Sequence, residues 1–159
     1  MRIDPERYFS ADFMRREQER LWPRAWLMAA HASELKLGPV ELSCGGVRVL
    51  VEADQAGEPR ARQAASNEGV HCEAWAGFVW VNLDANAANF RSSLGTARAP
   101  IEAYETVDWW LESHVTTELR CNWKTSVDVH NEGYHVHVLH SEVLPVVDDV
   151  NQQVELLGD

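Results

Sequence analysis

Two alternating segments joined by a pair of glycines constrain the fold of this chain most. Residues 40–44 (VELSC) and 47–51 (VRVLV) place apolar side chains at every second position, and Gly45-Gly46 stands between them. Alternation with a period of two puts one face of each strand against a core. A two-residue glycine turn is typical of a tight β-hairpin. The sequence therefore predicts an antiparallel hairpin over residues 40–51.

The remaining elements predict an α+β fold in which antiparallel strands follow an N-terminal helix. Ser10 is a good N-cap for a helix over residues 11–21. The sequence also predicts a strand over 25–30, a turn at 54–57 and a loop or weak helix over 58–69. Strands are expected within 70–83 on either side of Gly77. Two helical pieces are expected within 86–106, broken near Gly95 and Pro100, and they are followed by a strand over 111–119 that leads into Cys121.

Composition excludes several classes of partner. The net charge of -11 argues against binding to nucleic acid or to anionic membranes. We see no apolar run near the ~18 residues that a membrane span needs, and the first ten residues lack the apolar core of a signal peptide. The three cysteines are odd in number and widely spread, so we expect reduced thiols in the cytoplasm.

Residues 122–141 gather the metal-capable side chains. Four of the seven histidines lie there, together with two carboxylates: His130, His135, His137, His140, Asp128 and Glu132. No Lys or Arg follows Lys124, whereas seven Asp and Glu do. A cation placed here would therefore meet a favourable field.

The spacing of these residues limits how one ion could use them. Asp128, Glu132 and His135 follow one another at i, i+4 and i+7, so on a continuous helix they share one face. His140 would then point roughly 140° away from His135, at about 100° per residue. We therefore expect the helix to end or loosen after about Tyr134, near Gly133, so that a turn brings in the second imidazole.

The same window resembles the mononuclear-iron motif of Rieske-type aromatic ring-hydroxylating oxygenases, in their large (α) subunit. The pattern there is N-W-K, an acid, and then E/D-x-Y-H-x4-H. The matching positions are Asn122-Trp123-Lys124, Asp128, Asn131-Glu132-Gly133-Tyr134-His135 and His140. The resemblance continues through ERYFSADFMRREQERLWPRAWLMAAHASEL near the N-terminus.

The resemblance implies a set of roles for these residues. His135 and His140 would bind Fe(II), with a carboxylate completing a two-His, one-carboxylate triad. Glu132 would link the iron to the electron-donating cluster of a neighbouring subunit. Asp128 and Tyr134 are candidates for hydrogen bonds around the ligands, and a packed core position is the alternative for Tyr134. His130 and His137 fit surface or packing positions better than ligand positions.

The family's iron–sulfur cluster has no matching ligands in this chain. A Rieske [2Fe–2S] cluster takes two Cys and two His, in C-x-H and C-x2-H pairs. Neither Cys44, Cys72 nor Cys121 is followed by His at either spacing. His71 and Cys72 are adjacent in a predicted strand, where they face opposite ways. We therefore expect no [2Fe–2S] ligands, although the family uses that cofactor.

These observations predict two shortened domains. Residues 1–106 would form a reduced Rieske-like β domain without cluster loops, with 58–69 marking the deletion. Residues 107–159 would form the first strand and iron-site helix of a helix-grip catalytic domain. The family's third iron ligand, a carboxylate far downstream, has no counterpart, and Asp148 or Asp149 would be a poor substitute.

The resemblance implies O2-dependent hydroxylation of an aromatic ring, or oxidative demethylation, in complete relatives. Electrons would come from NAD(P)H through a reductase or ferredoxin, the substrate would be a small aromatic compound, and the assembly would be a homotrimer or α3β3. We expect this chain alone to be inactive. Two alternatives stay open: a non-catalytic metal-binding or subunit-association fragment, and a decayed, marginally folded fragment. A His-rich helix end can also be a solvated surface with no fixed metal.

Overall fold

A computed structural model of the chain describes residues 3–148 and 151. Its helices are α1 (Glu6–Phe9), α2 (Ala11–Arg20), α3 (Phe90–Ser93), α4 (Arg98–Glu102), α5 (Trp123–His130) and α6 (Val136–Leu139). Its strands are β1 (Leu27–His31), β2 (Val40–Cys44), β3 (Val47–Ala53), β4 (Pro59–Gln63), β5 (Gly69–Trp75) and β6 (Phe78–Asn82). Short 3₁₀ turns occur between them. The predicted α+β class is confirmed.

The chain divides into two compact units. Met14–Val115 form the first, called here the sheet unit. The described residues of Met1–Phe13 and Thr116–Leu156 form the second, called here the histidine unit. The predicted division into domains 1–106 and 107–159 stays a prediction.

The sheet unit is built on six antiparallel strands in the order β1-β6-β5-β4-β3-β2. The edge strands β1 and β2 contact each other, so the sheet curls toward a barrel. Gly45 and Gly46 join β2 to β3 with φ of +56° and +83°, as a two-residue primed turn requires. The predicted hairpin is confirmed.

The core lies on the concave face of this curled sheet. Alternate residues in the middle of β3 and in β6 are fully buried: Val49, Val51, Val79 and Val81. Ala29, Ala30, Leu35, Cys44 and Ala61 complete the same cluster. The alternation read from the sequence thus sets which face of the sheet is removed from water.

The predicted loop or weak helix over 58–69 is wrong for Pro59–Gln63, which form β4, and right for residues 64–68, which lie in no helix or strand. Ala61 points into the core, while Arg60 and Arg62 face outward. Each arginine pairs with a carboxylate of the neighbouring strand or turn, Arg60 with Asp54 at 3.0 Å and Arg62 with Glu52 at 3.3 Å. Pairing with β3 therefore makes a strand from residues that have no bulky apolar side chain.

The predicted strand over 111–119 is also wrong. Residues 109–119 lie in no helix or strand. Trp110 and Val115 are 76% and 81% exposed. Alternation favours an extended backbone, but a strand also needs a partner for its ladder of hydrogen bonds, and within the described residues this segment has none.

The helix predictions are right in part. α2 spans Ala11–Arg20, and the Ser10 hydroxyl accepts a hydrogen bond from the Phe13 backbone N–H at 3.3 Å. Residues 86–106 contain two short helices separated at Gly95, as expected. Pro100 does not break α4, because it lies in the first turn, where the missing N–H has no helical partner to lose.

Candidate metal centre

The iron-motif helix is shorter than the sequence predicts. α5 begins after Asn122, whose side-chain oxygen accepts a hydrogen bond from the Lys124 N–H at 3.1 Å. It ends at His130, and the Asn131 N–H bonds to the carbonyls of Val127 and Asp128, both at 3.1 Å. The predicted loosening after about Tyr134 therefore comes four residues earlier. Asn131 and Gly133 favour this stop, because both are weak helix formers.

The early stop changes how the carboxylates are arranged. Asp128 lies in the last turn of α5, whereas Glu132 and His135 lie beyond the helix. The prediction that these three residues share one helix face is therefore wrong. Glu132 instead contacts His135 through a local turn.

Glu132 is bound to His135 at the centre of the site. Its Oε1 lies 2.6 Å from Nδ1 of His135. Its Oε2 accepts hydrogen bonds from the backbone N–H groups of Tyr134 and His135, the second at 3.3 Å. The hydrogen bond from His135, followed by the Tyr134 N–H, lowers the pKa of Glu132 below 4.5 despite some desolvation. Glu132 is therefore an ionised acceptor at neutral pH, and His135 Nδ1 is the donor.

A short helix brings the second imidazole beside the first. His135 and His140 flank α6, and their ring centres lie 5.4 Å apart at an interplanar angle of 82°. At a metal–nitrogen bond of about 2.1 Å, two imidazoles on one ion have ring centres roughly 4.5–5.5 Å apart. His140 Nδ1 lies 3.6 Å from Oε1 of Glu142. Both Nδ1 atoms thus face a carboxylate, which leaves Nε2 of each ring for a ligand.

The described residues bring two candidate iron ligands, His135 and His140, side by side. Residues 3–148 and 151 contain no group of three His, Cys, Asp or Glu side chains placed to hold a metal ion. Asp148 accepts two hydrogen bonds from Asn151, at 3.0 and 2.8 Å, and so caps its own turn. Asp149 lies outside the described residues. Among the described residues the arrangement is therefore a pair of candidate ligands without a third ligand beside it.

The other candidates take different positions. His130 Nδ1 donates to the carbonyl of Ser126 at 2.6 Å. The Tyr134 ring is 90% exposed, which contradicts the packed-core alternative. His137 lines an open cavity with Asp148 and residues 144–147. Asp128 accepts a hydrogen bond from Tyr8.

Sequence reasoning missed Tyr8, which contacts Asp128 of α5. Its hydroxyl donates to Oδ2 of Asp128 at 2.6 Å, although 120 positions separate the two residues. The bond to Asp128 raises the pKa of Tyr8 above 10.0. No local pattern links residues so far apart, so only the folded chain could find this pair.

Two of the three cysteines, Cys44 and Cys72, belong to the sheet unit. Cys44 is fully buried at the end of β2, and Cys121 is exposed. Cys72 lies in β5, where burial raises its pKa to about 11, so its sulfur is a thiol at neutral pH. His71 Nε2 lies 3.2 Å from Oε1 of Glu73.

Within the part of the chain that the structure describes, no helix is long and apolar enough to span a bilayer.

Part of the chain is similar to known oxygenase subunits. Residues 104–155 match the family of the ring-hydroxylating α subunit, catalytic domain. The carnitine monooxygenase oxygenase subunit of Escherichia coli (strain K12) is 38% identical over 73 residues, which are 45% of this chain and 20% of that protein.

Solved structures show the same fold over a longer stretch. The quaternary ammonium Rieske monooxygenase CntA in complex with L-carnitine has a TM-score of 0.75 and 20% identity, over 87% of this chain and 55% of that one. Naphthalene 1,2-dioxygenase with indole bound has a TM-score of 0.67 and 16% identity, over 86% of this chain and 44% of that one.

Residues 104–155 are thus similar to the catalytic domain of ring-hydroxylating α subunits. The fold of the chain is similar to that of solved Rieske-type oxygenases. The chain spans about half the length of the solved relatives that it resembles.

Proposed function

We propose that the histidine unit is the iron-binding portion of an oxygenase catalytic centre. His135 and His140 would bind Fe(II) through Nε2. The observation that carries this proposal is the pair of imidazoles 5.4 Å apart, with His135 Nδ1 held 2.6 Å from Glu132. When bound, Fe(II) supplies the redox chemistry that activates O2 in oxygenases with such ligands.

In this proposal Glu132 orients the iron ligand His135 and takes part in electron transfer. Glu132 keeps the Nδ1 proton of His135 in place, which directs Nε2 toward the ion and makes the imidazole a better donor. Glu132 also serves as the electron-transfer bridge to a cluster on a neighbouring subunit. A solved quaternary ammonium Rieske monooxygenase, described with inter-subunit electron transfer, supports this role by analogy.

For the complete protein we propose a small organic substrate, with a quaternary ammonium compound favoured over an aromatic one. The carnitine monooxygenase oxygenase subunit is one curated relative, and the CntA structures match with higher TM-scores than naphthalene 1,2-dioxygenase. One oxygen atom of O2 would enter the substrate and the other would leave as water. NAD(P)H would supply two electrons through a reductase or ferredoxin and a [2Fe–2S] cluster.

We place the protein in the cytoplasm, in line with its three free thiols.

The described residues supply neither cluster ligands of the Rieske type nor a third iron ligand, so we propose that this chain does not turn over alone. The assay combines the iron-loaded chain with NADH and a Rieske reductase, and offers carnitine, γ-butyrobetaine and benzoate in turn. We expect no product above a control that lacks the chain. NADH-dependent product from the pure chain would refute this proposal.

Zn(II), a diamagnetic stand-in for Fe(II), allows the ligand atoms to be identified. We expect Zn(II) to shift the Nε2 resonances of His135 and His140 in ¹⁵N spectra, while His135 Nδ1 remains protonated. His137→Ala should leave both shifts unchanged, because His137 lines a cavity with residues 144–148, and neither His135 nor His140 lines that cavity. Shifts confined to His130 or His137, or a loss of the His135 Nδ1 proton, would contradict the assignment.

A non-catalytic fragment that binds metal or associates with an intact α subunit is the second candidate. The specific observation in its favour is the incomplete ligand set within the described residues. Several apolar side chains of the histidine unit are also exposed: Val127, Val129, Val138, Leu139 and Val146. Light scattering of the chain, with and without a full-length α subunit, distinguishes the candidates, because a monomer mass in both cases argues against association.

A further inference from the structure

Residues of α1 and the start of α2 contact the iron-motif helix, α5, through a hydrogen bond and cation–π contacts. Tyr8 of α1 donates to Asp128 of α5 at 2.6 Å. Lys124, one turn before Asp128, places Nζ over the rings of Tyr8 and Phe13, at 5.7 and 5.2 Å from their centres. Cation–π contacts of this length are attractive. Residues 124 and 128 lie at i and i+4, so one face of α5 makes both contacts.

A cavity of about 210 Å³ lies along the same contact. Ile3, Arg7, Tyr8, Trp123, Lys124, Val127 and Asp128 line it. α5 has no fully buried residue, so little core packing holds its orientation. The contact with α1 therefore contributes to the orientation of α5.

Asp128 joins this contact to the metal centre through its backbone. Its carbonyl accepts the N–H of Asn131 at 3.1 Å, which closes the end of α5 directly before Glu132. Glu132 in turn binds the Tyr134 N–H and His135 Nδ1. The side chain of Asp128 thus faces Tyr8, while its carbonyl fixes the turn that presents the first imidazole.

We propose that Tyr8 is a positioning residue of the two-histidine site, acting through Asp128 on the end of α5. The inference rests on the proposed function, because it needs His135 and His140 to be the ligands. Tyr8 touches neither imidazole, and its effect is on where the Glu132–His135 pair lies relative to His140.

The test is Co(II) binding to the full chain, followed by visible absorption. Tyr8→Phe removes only the hydroxyl and keeps the ring beside Lys124. We expect about tenfold weaker Co(II) binding, which is at the low end of the losses in metal affinity caused by removing groups that orient metal ligands. We also expect the absorption band at saturation to change. Tyr104→Phe, which removes a hydroxyl from a 69% exposed ring of the sheet unit, should change neither.

Variants of the partner residue separate positioning from general instability. Asp128→Asn keeps an acceptor oxygen and should bind Co(II) within about twofold of the wild type. Asp128→Ala should match Tyr8→Phe, and the double variant should be no weaker than either single one. These Asp128 variants decide the question if Tyr8→Phe does not fold. Partial unfolding alone would lower the band's intensity without moving it.

Two results would overturn the inference in different ways. If Tyr8→Phe and Asp128→Ala retain the wild-type affinity and band, while His135→Ala and His140→Ala lose Co(II), only the positioning role fails. If Co(II) binding is absent or insensitive to His135→Ala and His140→Ala, the proposed function fails and the inference fails with it.

Discussion

Glu132 and His135 are joined by a 2.6 Å contact between Oε1 and Nδ1, formed within a turn of four residues. The other oxygen of Glu132 caps two backbone N–H groups of the same turn. One carboxylate therefore fixes both the backbone and the ring of the first candidate ligand. This local construction explains how the pair forms although α5 ends five residues before His135.

Acidification should remove the contribution of Glu132 to stability. The folded-state pKa of Glu132 is lowered from 4.5, so its contribution is complete above pH 4.5 and is lost as the pH falls through the lower folded value. Urea unfolding followed at the His135 imidazole resonance should show a lower midpoint for Glu132→Gln at neutral pH. The difference from the wild type should shrink below pH 4.5. Glu118→Gln, an exposed control in the same unit, should show no such trend. A pH-independent difference would mean that the charge of Glu132 has no role.

Tyr8 should remain a hydrogen-bond donor beyond the pH at which a free phenol ionises. The hydrogen bond to Asp128, then desolvation and the charge of Asp128, raise the pKa of Tyr8 above 10.0. Its stabilising effect is thus present below pH 10.0 and is lost as the pH rises through the folded value. An absorbance titration should show Asp128→Asn bringing this pKa back toward 10, because the amide has no charge. An unchanged titration curve would show that the two groups do not interact in solution.

Gly77 should tolerate a methyl group far less well than Gly57. Both have a left-handed backbone, with φ of +81° and +86°. A Cβ on Gly77 would lie 2.6 Å from the carbonyl oxygen of Thr106, whereas a Cβ on Gly57 meets nothing within 4 Å. Thr106 is buried, and its hydroxyl donates to the Ala76 carbonyl at 2.6 Å, so it has little room to move.

Calorimetry of the two alanine variants measures that difference. Gly57→Ala should lower the free energy of unfolding by about 1 kcal/mol, the cost of a left-handed alanine. Gly77→Ala should lower it by roughly 2 kcal/mol more, because the backbone around Thr106 must shift. Equal losses would show that residues 104–108 do not pack on the Ala76-Gly77 turn as described.

Local patterns predicted the parts of the fold that depend on neighbouring residues. The β2–β3 hairpin follows from alternation and Gly45-Gly46, and α2 follows from its Ser10 cap. β4 was missed because its arginines become a strand only when β3 supplies the ladder and the opposite charges. The strand over 111–119 was predicted without a partner, and the described structure provides none for it.

The candidate site shows the same division between local and distant information. The motif located His135, His140 and Glu132, because all lie within nine residues of one another. It overestimated the length of α5, since Asn131 and the backbone bonds at Asp128 end the helix early. It could not reveal Tyr8, because the contact with Asp128 depends on how distant segments pack.

The most direct test of the central claim is the iron content after anaerobic loading with Fe(II) and removal of excess metal. The wild-type chain and His137→Ala should retain stoichiometric iron, and His135→Ala and His140→Ala should each lose it. That pattern would show that the two-histidine site forms in this chain. Iron that is absent from the wild type, or unaffected by His135→Ala and His140→Ala, would contradict the account and favour a fragment without an iron site.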